Sequence, residues 1–286
     1  MTASIVETMN ARFSCRSYSG QPLRDVDRRA LEEAAGTMRT GPFGSRLRFH
    51  LAAAAPGDEA ALRKLGTYGT IRGPGAFIIG AAERGPMYLE DYGWAMERLV
   101  LEATARGLGT CWIGGFFSRG DFARRIRITG PERLPAVIAV GLISDRDRSQ
   151  DALLRRVQGA SRRKPWETLF FDRDFSRPLA ADQAGPWTVP LEMVRRSPSA
   201  SNRQPWRVVR TDGAWHFFIR RTPGYPPRLG RWLMGIEDLQ RVDGGIAMSH
   251  FELAARENGL RGGWVRARPA LALPDELTEY SATWKE

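Results

Sequence analysis

The sequence GWAM at positions 93–96 recurs as GIAM at positions 245–248, an offset of 152 residues. The same offset relates further pairs along the chain: Leu99 and Phe251, Leu101 and Leu253, Ala103 and Ala255, the GL pairs at 107 and 259, and WI at 112 with WV at 264. A constant offset across positions 93–113 is the signature of an internal repeat. We therefore predict that the chain is a tandem duplication.

Each copy of the repeat is predicted to be a helix, a glycine stop and a strand. The first copy has apolar residues at the i, i+3, i+4, i+7 spacing of a buried helical face: Met96, Leu99, Val100 and Ala103. The second copy keeps this face with Ala247, Phe251 and Ala254. Gly107 and Gly259 stand where the two helices are expected to end. Most of these apolar residues are expected to be core, whatever the protein does.

Helices and short strands alternate around the repeat. In the first half we predict a helix at 25–37, strands at 48–54, 76–81 and 136–142, and the long helix of the repeat. In the second half we predict helices at 190–195 and 243–258 and strands at 207–211, 215–220 and 263–267, soon after which the copy stops. This alternation predicts an α+β fold with antiparallel or mixed sheets packed by helices. The halves are predicted to span 1–174 and 175–286, with a linker at 175–185.

Composition is that of an ordinary globular protein. The 286 residues are 42% hydrophobic and 10% aromatic, which argues against disorder. No run of eighteen apolar residues predicts a membrane span, and the N-terminus lacks the basic and apolar segments of a signal peptide. Two cysteines are too few for a disulfide framework, and no metal-binding spacing occurs. We expect a cytoplasmic protein that binds neither a membrane nor a metal.

The net charge of +11 comes mostly from arginine. Of the 43 basic residues only Lys64, Lys164 and Lys285 are lysine, an imbalance typical of a GC-rich genome. The arginines are spread along the chain and form no basic tract. Binding of nucleic acid is therefore the minor alternative, and attraction of an anionic ligand such as a phosphorylated cofactor explains the charge equally well.

Two further segments have the composition of a phosphate-cofactor site, one in each half. The first is RFSCRSY at 12–18, whose R-x-S-x-R pattern offers two guanidiniums and a hydroxyl for bidentate phosphate binding. The second is SPSASNRQPW at 197–206, with small polar groups on a predicted turn before a predicted strand. Each segment alone is a weak signal, since surface arginines and polar turns are common.

Together with GLGTCWIGGF at 107–116 and RKPWE at 163–167, these segments resemble, in the same order, sequences of the FMN-dependent nitroreductase family. More closely, the chain resembles the nitroreductase subgroup in which two half-domains are fused in one polypeptide. The features of that subgroup are GPFG at 41–44, YGTI at 68–71 and HFEL at 250–253. The resemblance covers essentially the whole chain and implies a nitroreductase-like fold.

The resemblance also implies one cofactor site instead of two. Ordinary members of the family are homodimers in which R-x-S-x-R from one subunit and P-S-x-x-N from the other complete each FMN site. Here the first half has GPFGSR at 41–46 where P-S-x-x-N is expected, and the second half has no R-x-S-x-R before its loop. The implied protein is a single-chain pseudo-dimer, a monomer in solution, with one complete site.

The roles implied for individual residues follow the family motifs. Arg12, Ser14 and Arg16 would bind the FMN phosphate, with Arg163 approaching from the end of the first half. Ser199 and Asn202 would reach the ribityl chain and ring edge, or would merely satisfy backbone groups of a turn. Gly114 and Gly115 would bring backbone close to the isoalloxazine, with an N–H towards N5. The other cofactor-binding residues implied are Phe13, Tyr68, Thr70, Pro198 and Ala200.

The implied activity is that of an FMN-dependent NAD(P)H oxidoreductase. By resemblance, hydride passes from NAD(P)H to flavin N5 and then to a nitroaromatic, a quinone or a similar small acceptor. No side chain is assigned as a catalytic acid, base or nucleophile, because the cofactor carries out the chemistry. Two alternatives remain: a flavin-binding or sequestering protein without catalysis, and a basic nucleic-acid-binding protein.

Overall fold

The structure is a computed structural model that describes residues 4–53, 62, 65–115, 117–144, 162–225 and 235–286. Its helices are α1 (Ile5–Ala11), α2 (Asp25–Thr37), α3 (Tyr88–Ala105), α4 (Arg119–Ile126), α5 (Thr188–Arg196) and α6 (Leu239–Glu257). Its strands are β1 (Leu47–Ala53), β2 (Ala76–Glu83), β3 (Gly109–Ile113), β4 (Glu132–Arg133), β5 (Val137–Gly141), β6 (Phe170–Asp172), β7 (Trp206–Thr211), β8 (Ala214–Arg220), β9 (Gly263–Val265) and β10 (Thr278–Lys285). Ala54 and Phe116, which belong to segments singled out in the sequence, lie outside these residues.

The strands form two sheets with the same internal order. The first sheet runs β1-β2-β5-β3, with β4 beside β2, and the second runs β6-β7-β8-β10-β9. All pairs are antiparallel except β6 with β7, which is parallel. The prediction of an α+β fold with antiparallel or mixed sheets is thereby confirmed. The order β1-β2-β5-β3 matches β7-β8-β10-β9, and in each series a long helix, α3 or α6, follows the second strand.

The two long helices cross where the repeated glycines lie. A Cβ on Gly93 would stand 2.1 Å from the carbonyl oxygen of Val242, and one on Gly245 would stand 2.0 Å from that of Glu90. Only a hydrogen atom fits at such a distance, so these positions must be glycine for the backbones to approach. The start of the 152-residue repeat is therefore the contact between the two halves.

The sheets and helices enclose separate cores. One core lies between the first sheet, α2 and α3, and α6 contributes Val242 and Ile246 to it. A second core, which includes Phe77 and Phe122, lies on the other face of the first sheet. The second sheet and α6 bury an aromatic core whose largest fully buried side chains include Trp206, Trp215, Phe251 and Trp284. Each such side chain contributes roughly 1.5–3 kcal/mol on burial.

The second half does not stop after its strand at 263–267. The structure adds β10, which lies between β8 and β9 and buries Trp284 completely. That prediction was wrong because β10 mixes Thr, Glu, Ser and Lys with few apolar residues, so its periodicity is weak. The strand β6 precedes the predicted linker and pairs with the second sheet, although its sequence belongs to the predicted first half. The division at 174/175 stays a prediction.

Among the described residues, no helix combines the length and apolarity that crossing a membrane requires.

Candidate functional site

The R-x-S-x-R segment begins where α1 ends, at the junction of the two halves. The N-terminus of α1 is bound by Glu257 of α6, whose carboxylate accepts hydrogen bonds from Ile5 N at 2.7 Å and Val6 N at 3.1 Å. A carboxylate at a helix N-terminus satisfies backbone N–H groups that the helix leaves open. Met9 then packs with residues of α3, α5 and α6. Both contacts fix the position from which Arg12 leaves the helix.

Beyond Arg12 the chain runs along the edge of the first sheet. Ser14 forms a parallel bridge with Thr110 of β3, and Cys15 N donates to Thr110 O at 2.8 Å. On the other side, Arg72 N donates to the carbonyl oxygen of Arg16 at 2.9 Å. The segment is therefore joined to the sheet edge by isolated backbone bridges, and within it Ser14 and Arg16 are half-buried.

Arg12 is half-buried and lacks a direct counter-ion in the described part of the chain. No side-chain hydrogen bond or ion pair joins its guanidinium to any residue that the structure describes. Burial lowers the pKa of Arg12, and the negative charge of Glu97 opposes that shift. A guanidinium in this setting gains from an anionic ligand.

Glu97 itself is fully buried in the contact between the long helices. Its carboxylate accepts from Trp112 Nε1 at 2.7 Å and lies 2.9 Å from His250 Nε2. The other ring nitrogen of His250 lies 3.1 Å from the carbonyl oxygen of Met193. A carbonyl can only accept, so Nδ1 carries the proton in that contact. No sequence motif identifies this group, because its members come from four separate elements.

Arg163 lies near Arg12 and contacts the second-half loop. It donates to Asn202 Oδ1 at 3.3 Å and to the carbonyl oxygen of Arg196 at 3.1 Å. Burial and then the positive charges of Arg12, Arg195 and Arg196 lower its pKa to about 10. The structure thus brings together three predicted site residues, Arg12, Arg163 and Asn202, from both halves of the chain.

The P-S-x-x-N loop is a tight turn held by side chains. Its backbone has a positive φ at Ser201, Asn202 and Gln204, a conformation that costs free energy for residues other than glycine. Ser199 Oγ accepts from Gln204 N at 2.9 Å, and Asn202 Nδ2 donates to Arg162 O at 3.0 Å. Both residues therefore satisfy neighbouring backbone groups, as the turn interpretation anticipated. Pro198 and Ala200 are half-buried beside them.

Gln204 and Lys164 join this loop to the end of the first half. Gln204 Oε1 accepts from Lys164 N at 2.8 Å, and its Nε2 donates to Asn202 Oδ1 at 3.1 Å. Burial and then the charge of Arg207 lower the pKa of Lys164 to about 8. Both residues stand in the motifs quoted above, but their mutual contact was not predicted.

The two glycines after β3 differ in their surroundings. A Cβ on Gly114 would lie 2.7 Å from the side chain of Leu239, so a larger residue would displace that side chain. A Cβ on Gly115 would meet no atom of the described residues within 4 Å. Gly115 therefore borders open space that a ligand could enter, and Gly114 is needed for close packing against α6.

Tyr68 and Thr70 lie on an exposed turn, and Phe13 lies against the core. The Tyr68 side chain is 72% exposed, with a φ of +48°. Thr70 Oγ1 donates to Thr67 O at 2.6 Å. In the described ranges no contact joins Tyr68 or Thr70 to Arg12, Arg163 or Asn202. Phe13 packs on the core that contains Phe77 and Phe122.

A family model described as "Putative TM nitroreductase" matches residues 4–255. The chain belongs to this nitroreductase family. A solved structure from Thermotoga maritima MSB8, also described as a putative nitroreductase, aligns with 100% of this chain and 94% of its own, at 21% identity and a TM-score of 0.62. The resemblance to the nitroreductase family and the predicted fold are thereby confirmed.

Other nitroreductase structures align with about half of the chain. A nitroreductase with bound FMN from Bacteroides fragilis NCTC 9343 covers 50% of this chain and 90% of its own, at 20% identity and a TM-score of 0.40. A nitroreductase family protein from Clostridium difficile 630 covers 49% of this chain and 84% of its own, at 15% identity and a TM-score of 0.39. No curated protein matches the chain.

Proposed function

We propose that this nitroreductase-family protein is an FMN-dependent oxidoreductase that takes electrons from NAD(P)H and reduces a nitroaromatic, a quinone or a similar small acceptor. The observation that supports this most directly is the cluster of Arg12, Arg163 and Asn202. The positive charge of Arg12 lowers the pKa of Arg163, and a phosphate dianion between the two guanidiniums would offset that repulsion. FMN carries such a phosphate, and the nitroreductase from Bacteroides fragilis is described with bound FMN.

The residues of the cluster would hold and orient the cofactor. Arg12 and Arg163 would bind its phosphate, with Ser14 and Arg16 on the adjoining segment. Ser199 and Asn202 would lie beside the ribityl chain, and the open space at Gly115 would admit the ring. When bound, FMN would supply the redox chemistry by accepting hydride at N5 and passing electrons to the acceptor. No protein side chain has to donate or remove a proton in this scheme.

The test combines flavin binding with turnover. Purified protein incubated with FMN and freed of excess should show the absorption spectrum of a bound flavin. It should then oxidise NADH or NADPH when a nitroaromatic or a quinone is added. Bound flavin without oxidation of either nucleotide would favour a flavin-binding protein without catalysis. Absence of any flavin uptake would refute the proposal.

We predict one FMN per chain. The residues 152 positions after Gly114 and Gly115 are Arg266 and Ala267, both exposed, so the second half lacks the glycine pair that follows β3. The loop at 41–46 also lacks the P-S-x-x-N sequence. Flavin released by denaturation and measured by absorbance should equal the protein in molar amount. Two flavins per chain would contradict the argument that one site is lost.

We also predict that the protein is a monomer. The close crossing of α3 and α6 at Gly93 and Gly245 supplies within one chain the interface that a dimer would otherwise provide. Light scattering should therefore give a mass of 32.0 kDa. A stable particle of twice that mass would contradict the prediction. Asn202→Asp should weaken FMN binding and leave the mass unchanged.

A further inference from the structure

Two aspartates at the 152-residue offset hold the two loops that precede β1 and β7. Asp91 of α3 accepts hydrogen bonds from Phe43 N and Ser45 N, both at 3.0 Å. Asp243 of α6 accepts from Ala200 N at 2.9 Å. Both side chains are buried, with residue exposures of 0% and 3%. Each long helix therefore fixes the loop of its own half through one carboxyl group.

The two carboxyl groups differ in how they use their oxygens. Asp91 gives both oxygens to its loop, whereas Asp243 Oδ2 has no hydrogen-bond partner among the described residues. The backbone N–H that would correspond to that of Ser45 belongs to Asn202, and it donates instead to Ser199 O at 2.9 Å. The P-S-x-x-N loop therefore depends on one hydrogen bond to α6, the one that Ala200 N donates to Asp243.

That bond matters because the loop is conformationally costly. Ser201, Asn202 and Gln204 all have a positive φ, which an unanchored loop would relax. With the described residues, Ser199 and Asn202 form bonds that run within the loop or to the 162–163 segment. Asp243 connects the loop to a buried helix, which is the most rigid support available to it.

We propose that Asp243 is a positioning residue for the cofactor loop, and that Asp91 is its counterpart in the half that has no such site. Asp243 fixes Ala200, and thereby the neighbouring Ser199 and Asn202, relative to Arg12 and Arg163. The expected effect of Asp243 on FMN binding rests on the proposed function. The anchoring of the loop by Asp243 does not depend on that function.

The protonation state of Asp243 makes the conservative substitution informative. Burial raises the pKa of Asp243 well above its ordinary range, and the charge of Asp238 raises it further. The neutral carboxyl is thereby favoured, and asparagine resembles it in shape and keeps an oxygen for Ala200 N. Asp243→Asn should therefore behave nearly as the wild type, and Asp243→Ala should not.

The experiment compares Asp243→Ala, Asp243→Asn and the matched variant Asp91→Ala. Affinity for FMN is measured by titration of flavin-free protein, and amide hydrogen exchange is followed at residues 41–46 and 198–204. Asp243→Ala should accelerate exchange at 198–204 and weaken FMN binding about tenfold. Asp91→Ala should accelerate exchange at 41–46 and leave FMN affinity within about twofold. Asp243→Asn should restore both properties.

A merely structural role would give a different pattern. Asp91→Ala removes two hydrogen bonds and Asp243→Ala one, so a general loss of stability would make the Asp91 variant bind FMN worse. The inference would be overturned if Asp91→Ala bound FMN more weakly than Asp243→Ala. It would also be overturned if amide exchange at 198–204 were unchanged in Asp243→Ala. If wild-type protein takes up no FMN, the proposed function fails, and exchange at 198–204 alone then supports or overturns the anchoring role of Asp243.

Discussion

Replacing Gly245 by alanine is expected to lower the free energy of unfolding by about 3 kcal/mol, at the upper end of what overpacking costs. The added methyl group would stand 2.0 Å from the carbonyl oxygen of Glu90 and 2.8 Å from Trp94 N, both backbone atoms of α3. Backbone cannot rotate away as a side chain can, so the helices must move apart. Because α6 carries Ile246 into the first core and Phe251 into the aromatic core, separation would loosen both.

The measurement is chemical denaturation of Gly245→Ala beside two other variants. Gly93→Ala should be equally damaging, since its Cβ would lie 2.1 Å from the carbonyl oxygen of Val242. Gly36→Ala in α2 is the control, because a Cβ there meets no atom within 4 Å in the part of the chain that the structure describes. In that helix, alanine should stabilise by about 0.5–1 kcal/mol. A Gly245 variant as stable as the wild type would mean that the helices do not cross as described.

The repeat was the most informative part of the sequence because its two glycines, Gly93 and Gly245, mark where α3 and α6 pack against each other. Helix α2 was predicted with its observed bounds, since acidic residues begin it and apolar residues follow at helical spacing. The strands predicted in both halves agree with their observed ends to within two residues, and the largest differences are at the ends of β2, which extends to Glu83, and β9, which ends at Val265. Strand β10 was missed because its central position in the sheet depends on pairing with β8, a tertiary contact.

The candidate site, like the fold, was predicted only in part. The motifs identified the segments that meet, and in the structure Arg163 donates to Asn202 and lies close enough to Arg12 for its charge to lower the pKa of Arg163. The motifs left open whether Ser199 and Asn202 bond to backbone, and they could not reveal that Tyr68 is exposed. Glu97, His250 and Asp243 were missed because a buried polar residue on an otherwise apolar helix face gives no local signal of its partner.

Replacing Arg12 by alanine is expected to weaken FMN binding about 10- to 100-fold and to leave riboflavin binding nearly unchanged. A charge-assisted hydrogen bond to phosphate contributes about 1.5–3 kcal/mol, and riboflavin lacks the phosphate. The side chain of Arg12 makes no hydrogen bond or ion pair with the residues that the structure describes, so its removal breaks no such contact with them. Stability should therefore change little, and loss of FMN affinity can be attributed to the ligand. Arg16→Ala should act in the same direction.

Titration of flavin-free protein with FMN and with riboflavin separates the phosphate contribution from that of the ring. Arg29→Ala is the control: it removes one positive charge from an exposed position on α2, so any general effect of net charge would appear there too. Raising the salt concentration should weaken FMN binding to the wild type more than to the Arg12 variant, because screening acts on the charge that the variant has lost. If Arg12→Ala and Arg16→Ala bind both ligands like the wild type, the phosphate lies elsewhere. An equal loss of FMN and riboflavin would instead mean that Arg12 supports the shape of the site and does not bind the phosphate.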